Sequence, residues 1–229
     1  IDPNPLIVDG KTSIQDLSRL VVSAGRRILI DGYIITENGR YVGMGEGGDL
    51  LGKITEMQIA AARYANPLTQ LPGNVPIQQE VTKLCLQQTR FVCVYADLDH
   101  FKPFNDLYGF EQGDNVIILL GNILSSIINP DLDFLGHIGG DDFIFLFQSK
   151  DWESKCRQAL MEFDKESINF FSSRDIENKG YYTEDRQGNI VCHPLLSVSF
   201  GAIEVRPGSF FSYQELAEAS TGTKKMAKK

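Results

Sequence analysis

Apolar and polar residues divide the chain into an N-terminal zone of short elements and a longer zone in which helices and strands alternate. In the first zone, strand-like runs over Arg27–Ile30, Tyr33–Thr36 and Arg40–Met44 predict a small sheet. The residues that join the last two runs, Glu37–Arg40, carry the Asn-Gly signal of a hairpin turn. Helical spacing of apolar residues from Leu50 to Tyr64 then predicts a connector helix.

The connector helix ends at a cluster of prolines and glycines. Asn66-Pro67 and Leu71-Pro72-Gly73 interrupt it, because proline disfavours the helical conformation in the residue before it. We therefore place a domain boundary at about residues 60–66. Two parts are expected, a segment over 1–60 that includes the connector helix and a domain over 61–229.

Strands and helices alternate beyond that boundary. Phe91–Ala96 is continuously apolar, which is typical of a strand buried on both faces. Phe134–Ile138 and Phe143–Phe147 flank Gly139–Asp142, a spacing that predicts a hairpin, and Leu196–Ala202 alternates as a further strand. Helices are predicted over 77–87, 115–128, 151–171 and 213–229, and a polar surface hairpin over 173–189. This order predicts an α+β fold of ferredoxin-like or polymerase-palm type, in which helices flank a central antiparallel sheet.

Composition and charge exclude several classes of protein. The 229 residues are 42% hydrophobic and 23% charged, as in ordinary globular domains, and no apolar run is long enough to span a bilayer. The net charge of −8 argues against the broad cationic face that sequence-independent nucleic-acid binding requires, so we expect no nucleic-acid partner. The four cysteines are widely spaced without a CxxC pair, which indicates reduced core thiols and a cytoplasmic domain. Because the chain begins at Ile1 without an initiator Met, we expect a fragment, and the membrane attachment of its parent stays open.

Two carboxylates follow the first buried strand. Asp97 and Asp99 are two residues apart, so they share one face of the strand. Carboxylates at the end of an apolar strand are costly unless a positive charge lies beside them, and a hard divalent cation such as Mg²⁺ suits carboxylate and phosphate oxygens. The alternative is a solvated turn after the strand, which the Asp-x-Asp spacing alone does not exclude.

The turn over Gly139–Asp142 offers two further carboxylates, Asp141 and Asp142. It could be a plain exposed hairpin, since Asp is common in turns for backbone reasons. If the apolar strands on either side of it pair beside Phe91–Ala96, the turn lies next to Asp97. Three or four carboxylates would then meet, with glycines that leave room for phosphate, as in metal-dependent phosphoryl and nucleotidyl transfer.

Several motifs, in order along the chain, resemble those of the GGDEF domains, the diguanylate cyclases. Gly139–Phe143 (GGDDF) is similar to the family signature, with one change of Glu to Asp. Asn66–Asn74 resembles D-x-L-T-G-L-x-N-R, and Asp97–Asp106 resembles D-x-D-x-F-K-x-x-N-D. Similarities to Y-G-H-x-x-G-D, to the S-x-G strand and to the closing A-K lie at Tyr108–Asp114, Ser197–Gly201 and Ala227–Lys228. The resemblance covers about residues 65–229.

The resemblance implies a metal-dependent GTP site with catalytic and metal-binding residues. Asp97, the backbone carbonyl of Leu98 and Asp141 would hold Mg²⁺ (or Mn²⁺) at the GTP phosphates. Lys102 would be the cation on the triphosphate and would stabilise charge in the transition state. Asp142 stands where the family has Glu, and its shorter carboxylate could assist deprotonation of the ribose 3′-hydroxyl.

The resemblance also implies contacts to the rest of the substrate, through the guanine edge and the phosphates. Two of these residues have alternative roles: Asp114 is well placed as the N-cap of the helix over 115–128, and Lys228 could belong to a frayed, charged helix end. The implied substrate-binding residues are Asn105, Asp114, Phe110, Gly139, Gly140 and Lys228.

The chain departs from the family pattern at several positions, but none of these changes removes a metal carboxylate, Lys102 or Asn105. Asn66 replaces the first Asp of the opening motif, Phe110 replaces a His near the guanine, and His137 stands where an Arg often precedes the two glycines. The inhibitory product site of the family usually begins with R-x-x-D, and here that stretch begins at Pro130 and ends at Asp133. The missing Arg indicates that product feedback through this site is absent.

The implied function is the Mg²⁺-dependent condensation of two GTP into cyclic di-GMP and two pyrophosphates at a homodimer of the domain. The alternative is a catalytically weak or inactive GTP-binding module that controls an adjacent EAL phosphodiesterase domain. A polymerase-like palm is disfavoured by the acidic charge. Thr12–Leu17, Gly32–Ile35 and Gly39–Gly43 resemble part of a CBS regulatory module, so EAL or CBS domains are expected upstream in the parent protein.

Overall fold

The structure is a computed structural model that describes residues 5–184 and 187–219. The chain divides into two compact units, with the division between Arg63 and Tyr64. Within the described ranges, no helix is both long enough and apolar enough to cross a bilayer. The interpretation of residues 1–60 as a CBS-like segment stays a prediction.

The first unit contains a three-stranded sheet. Strands β1 (Ile7–Asp9) and β2 (Tyr33–Glu37) are parallel, and β2 forms an antiparallel hairpin with β3 (Arg40–Gly45). The hairpin turn predicted from the Asn-Gly pair is therefore confirmed. Helices α1 (Ile14–Ala24), α2 (Arg26–Asp31) and α3 (Gly47–Tyr64) complete the unit. Its core comprises Val8, Val21, Ile28, Tyr33 and Leu50.

The prediction of a strand over Arg27–Ile30 is wrong, because these residues lie in α2. Both edges of β2 are already paired, one with β1 and the other with β3, so the sheet offers no place for another strand beside it. Ile28 enters the core from the helix instead. A short apolar run does not distinguish a strand from a helical turn by periodicity alone.

The second unit is built on a four-stranded antiparallel sheet in the order β5-β6-β4-β9, which confirms the expected α+β fold. Its strands are β4 (Phe91–Asp99), β5 (Phe134–Gly139), β6 (Asp142–Phe147), β7 (Gly180–Glu184), β8 (Ile190–Pro194) and β9 (Ser197–Val205). Its helices are α4 (Asn74–Leu86), α5 (Phe101–Tyr108), α6 (Phe110–Ile127), α7 (Trp152–Ser167) and α8 (Ser173–Glu177), with a 3₁₀ turn over Ile168–Phe170 and a helical segment over 213–219.

Helices cover both faces of this sheet, and alternation along the strands supplies the two cores. Val94, Ala96 and Leu98 of β4 pack on the side of α5, α6 and α7. Phe91 and Cys93 of β4 pack on the opposite side, toward α4 and the segment over 213–219. Because β4 is covered on both faces and paired on both edges, the end of this strand is held firmly in place.

The polar stretch predicted as a surface hairpin over 173–189 is partly helical. It begins with α8 and continues into the antiparallel hairpin β7–β8. Tyr181 of β7 is fully buried, and its hydroxyl donates to the carbonyl of His100 at 3.0 Å. The hairpin therefore packs against the loop that follows β4 instead of lying free on the surface.

Three of the four cysteines are buried thiols, as expected. Cys85, Cys93 and Cys156 lie in the cores, and burial raises the pKa of each, to about 12 for Cys93 and Cys156. Cys192, in contrast, is exposed on β8, so its interpretation as a core thiol is wrong. Its cross-strand partner Tyr182 is also exposed, because both residues lie on the face of the hairpin β7–β8 opposite the buried Tyr181.

A buried ion pair joins the loop before β5 to α7. The side chain of Asp133 is inaccessible to solvent, and Lys155 Nζ donates to its Oδ2 at 2.9 Å. The hydroxyl of Ser149 and backbone N–H groups at Asn129, Gln148 and Ser149 also donate to this carboxylate. Burial acts to raise the pKa of Asp133, but the hydrogen bond from Lys155 and the backbone N–H groups outweigh it and hold that pKa below its usual value.

Removal of Lys155 is expected to destabilise the second unit strongly. Lys155→Met leaves the Asp133 charge buried without its cation, which costs about 3 kcal/mol in the free energy of unfolding. Because the pKa of Asp133 is lowered, the stabilisation is present above about pH 4 and is lost as the pH falls through the lowered value. Urea unfolding of wild type and variant at pH 7 and at low pH measures both effects.

The matched control is Arg157→Met on the same helix, because its ion pair with Glu153 is exposed. Equal stability losses for Lys155→Met and Arg157→Met would contradict the role assigned to the buried pair.

Candidate active site

The end of β4 presents two carboxylates on one face, as predicted. Hydroxyls of Ser197 and Ser199 on β9 donate to Oδ2 of Asp99, at 2.9 and 2.7 Å. Asp97 is half-buried, and its Oδ2 atom is enclosed. Asp99 thus links β4 to β9. Asp97 lies two residues earlier on β4 and pairs with Ser199 on β9.

The hairpin β5–β6 carries the glycine-rich turn to the same end of the sheet. The last pair between β4 and β6 is Ala96 with Phe143, so the next residues along each strand are Asp97 and Asp142. The turn itself is Gly140–Asp141, and Gly140 has a φ of 59°, which suits glycine at the first central position of a two-residue hairpin turn. The predicted proximity of the turn to Asp97 is confirmed by this register.

Alternation along β6 places Asp142 on the face shared with Asp97 and Asp99. Nevertheless, the expected cluster of three or four carboxylates is not observed as a preformed metal site. Within residues 5–184 and 187–219, no group of three or more His, Cys, Asp or Glu side chains is positioned to hold an ion. A metal at this site would depend on two carboxylates, a backbone carbonyl and oxygens from a substrate.

Helix α5, which the sequence interpretation missed, brings further residues to the site. His100 lies between β4 and α5 in the left-handed conformation, with a φ of 60°, and its carbonyl accepts from the Phe104 N–H and the Tyr181 hydroxyl. Lys102 follows in the first turn of α5, with an exposed side chain. It takes part in none of the ion pairs found in the described part of the chain, so it can meet an anion.

Asn105 and Gly113 fit against each other between α5 and α6. A Cβ atom added at Gly113 would lie 1.8 Å from Oδ1 of Asn105, so only glycine leaves room for this amide. Oδ1 of Asn105 is buried and accepts no hydrogen bond from the residues that the structure describes. A buried acceptor of this kind costs free energy unless a ligand supplies the donor.

Two expected substrate residues lie on the first turns of α6. This helix begins at Phe110, directly after Gly109, and not at residue 115. Asp114 is therefore an exposed residue inside the helix, and its alternative role as N-cap is wrong. Phe110 is 77% exposed and also faces solvent. Lys228 lies outside the described residues.

The opening motif over 66–74 forms a compact turn. Oδ1 of Asn66 accepts from the N–H groups of Leu68 and Thr69, at 2.9 and 3.2 Å. Asn therefore supplies the acceptor that the family's Asp would supply, which makes this departure structurally conservative. Nδ2 of Asn74 donates to the carbonyl of Ile138 at 3.2 Å and joins the motif to β5.

His137 connects this motif to the glycine-rich turn, a role that the sequence interpretation missed. It is 1% exposed and stacks on the ring of Phe143 with centroids 4.2 Å apart. Its Nδ1 lies 2.9 Å from Oγ1 of Thr69, and its Nε2 lies 2.9 Å from the carbonyl oxygen of Gly140. Burial lowers the pKa of His137, against the opposing effects of the Gly140 carbonyl and the Asp142 charge.

Residues 64–175 match the family model "Diguanylate cyclase, GGDEF domain". The chain contains a GGDEF domain. The matched part holds the end of β4, helices α5 and α6, and the turn between β5 and β6, which are the elements of the candidate site.

Curated relatives share this domain and are longer proteins. The "Probable diguanylate cyclase DgcT" of Escherichia coli (strain K12) is 34% identical over 107 residues, which are 46% of this chain and 23% of that protein. A "Diguanylate cyclase" of Vibrio cholerae is 36% identical over 67 residues, 29% of this chain and 21% of that protein. The chain thus spans less than a quarter of the length of these relatives.

Solved structures show the same fold at low identity. The diguanylate cyclase SiaD from Pseudomonas aeruginosa, in complex with its activator SiaC, has a TM-score of 0.59 at 18% identity and covers 93% of this chain and 70% of its own. The coiled coil and GGDEF domain of DgcB from Caulobacter crescentus, in complex with c-di-GMP, has a TM-score of 0.50 at 21% identity and covers 78% and 92%.

In the GGDEF domain, the position of the product-site Asp has a structural role. Asp133 ends the stretch that resembles R-x-x-D, and its buried carboxylate is already bound by Lys155 and Ser149. Pro130 replaces the Arg. The expectation that product feedback through this site is absent stays a prediction that this network supports.

His137 is expected to titrate below pH 6.5 in the folded domain, because burial favours its neutral form. Since the unfolded chain binds the proton more readily, this ring contributes stability above pH 6.5, and the contribution is lost as the pH falls through the lowered value. An NMR titration of the ring measures the pKa directly. A His137→Phe variant should show a flatter loss of stability in acid, and a ring that titrates at or above pH 6.5 would contradict the assignment.

Proposed function

We propose that the chain is a diguanylate cyclase, which condenses two GTP molecules into cyclic di-GMP and releases two pyrophosphates. The register between β4 and β6 carries this proposal, because it brings Asp97 to the Gly140–Asp141 turn inside a GGDEF domain. The names of the curated relatives support the same activity.

The oxygen donors at this end of the sheet fit Mg²⁺ or Mn²⁺. The carboxylates of Asp97 and Asp141 and the carbonyl of Leu98 are hard ligands, and the enclosed oxygen of Asp97 is removed from competing water. Bound there, the ion would neutralise phosphate charge and polarise the phosphoryl group under attack. Gly139 and Gly140 have no side chains that would exclude the phosphates from the turn.

Two further side chains serve the chemical step. The 3′-oxygen of one GTP attacks the α-phosphorus of the other, a new P–O bond forms, and the bond to the leaving pyrophosphate breaks. Asp142 accepts the proton of the 3′-hydroxyl, since it shares the face of Asp97 at the edge of the turn. Lys102 stabilises the charge that develops on the triphosphate.

The guanine base is bound by α5 and α6. Oδ1 of Asn105 accepts from the N–H donors of the guanine edge, which supplies the partner that this buried atom otherwise lacks in the described structure. Asp114 accepts from the same edge, and Phe110, with its exposed ring, lies beside the base. Lys228, outside the described residues, is proposed as an additional phosphate contact.

A homodimer is required for turnover. Each domain carries one set of these residues and so binds one GTP, whereas the product contains two nucleotides joined by two linkages. Two copies must therefore present their GTP molecules to each other, and a monomer would bind GTP without producing cyclic di-GMP.

The test is to incubate the purified chain at high concentration with GTP and Mg²⁺ and to separate the products by chromatography. Cyclic di-GMP is expected from wild type, and Asp141→Ala should reduce its formation at least about a hundredfold, because the variant lacks a metal ligand. Asp164→Ala, which removes an exposed carboxylate of α7, is the matched control and should retain activity.

The opposite outcome is equally informative. If wild type binds GTP but yields no cyclic di-GMP, even with a dimerising coiled coil fused ahead of Ile1, the cyclase proposal fails. The chain would then act as a GTP-binding regulatory module.

Gly113→Ala is expected to weaken GTP binding about tenfold and to reduce the preference for GTP over ATP. The new methyl group displaces the Asn105 amide, which loses its hydrogen bond to guanine, while alanine itself is favourable in a helix. Calorimetric titration with both nucleotides measures the change. Gly52→Ala in α3, where an added Cβ meets no atom within 4 Å, is the control. Unchanged GTP affinity in Gly113→Ala would rule out Asn105 as a guanine contact.

A further inference from the structure

We propose that His137 is a positioning residue of the reaction. Together with Thr69, it holds the carbonyl of Gly140 and thereby the turn that carries Asp141. The proposal rests on the cyclase activity proposed above, and it concerns a residue that lies on the opposite face of the sheet from the carboxylates. His137 therefore acts through the turn and does not touch the substrate.

The two hydrogen bonds of the ring define the tautomer of its neutral form. The carbonyl oxygen of Gly140 can only accept, so Nε2 of His137, 2.9 Å away, carries the proton. In the neutral ring, Nδ1 is then an acceptor, and the hydroxyl of Thr69 donates to it at 2.9 Å. Thr69 thus donates to His137, and His137 donates to the carbonyl of Gly140.

Packing fixes the ring that makes these bonds. His137 is 1% exposed and lies nearly parallel to Phe143, its neighbour in the β5–β6 register, with an angle of 12° between the rings. A bulge at Ile138 separates it from the turn, and such bulges redirect the residues beside them. The ring therefore points along the hairpin toward the Gly140 carbonyl.

Thr69, the other end of this connection, is itself well anchored. The Asn66 side chain accepts from its backbone N–H, and its methyl group packs against α6, where a Cβ at Gly121 would lie only 3.2 Å away. The backbone N–H of His137 also donates to the carbonyl of Pro72 at 2.8 Å. The opening motif thus holds both the main chain and the side chain of His137.

The turn needs such a restraint because of its composition. Gly139 and Gly140 have φ values of 147° and 59°, and glycines have the largest conformational freedom to lose when a single geometry is adopted. Asp141 follows directly and depends on that geometry for the direction of its carboxylate. Misplacement of a catalytic group by about 1 Å can cost about a hundredfold in rate.

The test compares His137→Phe, Thr69→Val and the double variant with wild type by steady-state kinetics. His137→Phe keeps the stacking on Phe143 but removes both hydrogen bonds, and Thr69→Val removes the hydroxyl without a change of volume. We expect kcat to fall about tenfold in His137→Phe and about threefold in Thr69→Val, with KM for GTP within about twofold of wild type. Thr69→Val should have no further effect once His137 is Phe, because the two residues act as one connection.

Conservative variants test the assignment of each bond. Thr69→Ser retains the hydroxyl and should keep wild-type activity. His137→Gln can still present an amide donor toward Gly140, so it should recover part of the activity lost in His137→Phe. The control is Thr183→Val, because Thr183 makes the same kind of bond, at 2.9 Å, to His193 in the hairpin β7–β8.

A second readout keeps the proposal independent of the cyclase activity. Amide hydrogen exchange at Gly140 and Asp141 should be at least about tenfold faster in His137→Phe than in wild type, and unchanged in Thr183→Val. If wild type proves to have no cyclase activity, faster exchange still supports the restraint on the turn, whereas unchanged exchange overturns it. An unchanged kcat in His137→Phe would also overturn the proposal. So would losses of kcat that simply parallel the fall in melting temperature across all the variants, the control included.

Discussion

The pairing of β4 with β6 is the constraint on which the candidate site depends. Both strands are apolar and lie between two helical layers, so burial of their side chains determines which face each residue occupies. A slip of one residue would send every side chain of β6 to the other face, and Asp142 would leave the face of Asp97. The position of the carboxylates is therefore a consequence of how the core packs.

The turn and the loop that surround these carboxylates are each held by a hydrogen bond from a residue outside the site. The opening motif reaches the glycine-rich turn through His137, and the hairpin β7–β8 reaches the loop after β4 through the hydroxyl of Tyr181. Both supports end on a backbone carbonyl, that of Gly140 in one case and that of His100 in the other. The residues proposed for chemistry are thus carried on segments whose main chain is fixed by partners outside the site.

The network around Asp133 shows how a position of a family motif can serve stability. Its carboxylate is buried and accepts from Lys155, Ser149 and nearby backbone N–H groups. These hydrogen bonds connect the loop before β5 to α7. A buried charge with this many donors contributes to a defined structure, and removal of one partner would leave an uncompensated charge. Because the carboxylate is buried and already hydrogen-bonded, it is not accessible to a ligand in solvent.

The sequence alone determined the strands of the second unit, the hairpin between them and the closeness of the glycine-rich turn to Asp97. These features follow from local apolar runs, from turn-forming residues and from motif spacing, all of which act over a few residues. Local pattern was insufficient where two conformations compete, as for α2, or where a helix begins earlier than its apolar periodicity, as for α6 and Asp114.

Only the tertiary structure decided which polar groups meet. Asp99 is bound by serines 98 and 100 residues away, and His137 is bound by Thr69 across 68 residues. The fit of Asn105 against Gly113 depends on how α5 and α6 pack. Such contacts leave no periodic or compositional signal, because they arise when separate elements are brought together by burial of their apolar faces, and hydrogen bonds then form between whichever polar groups that packing places in reach.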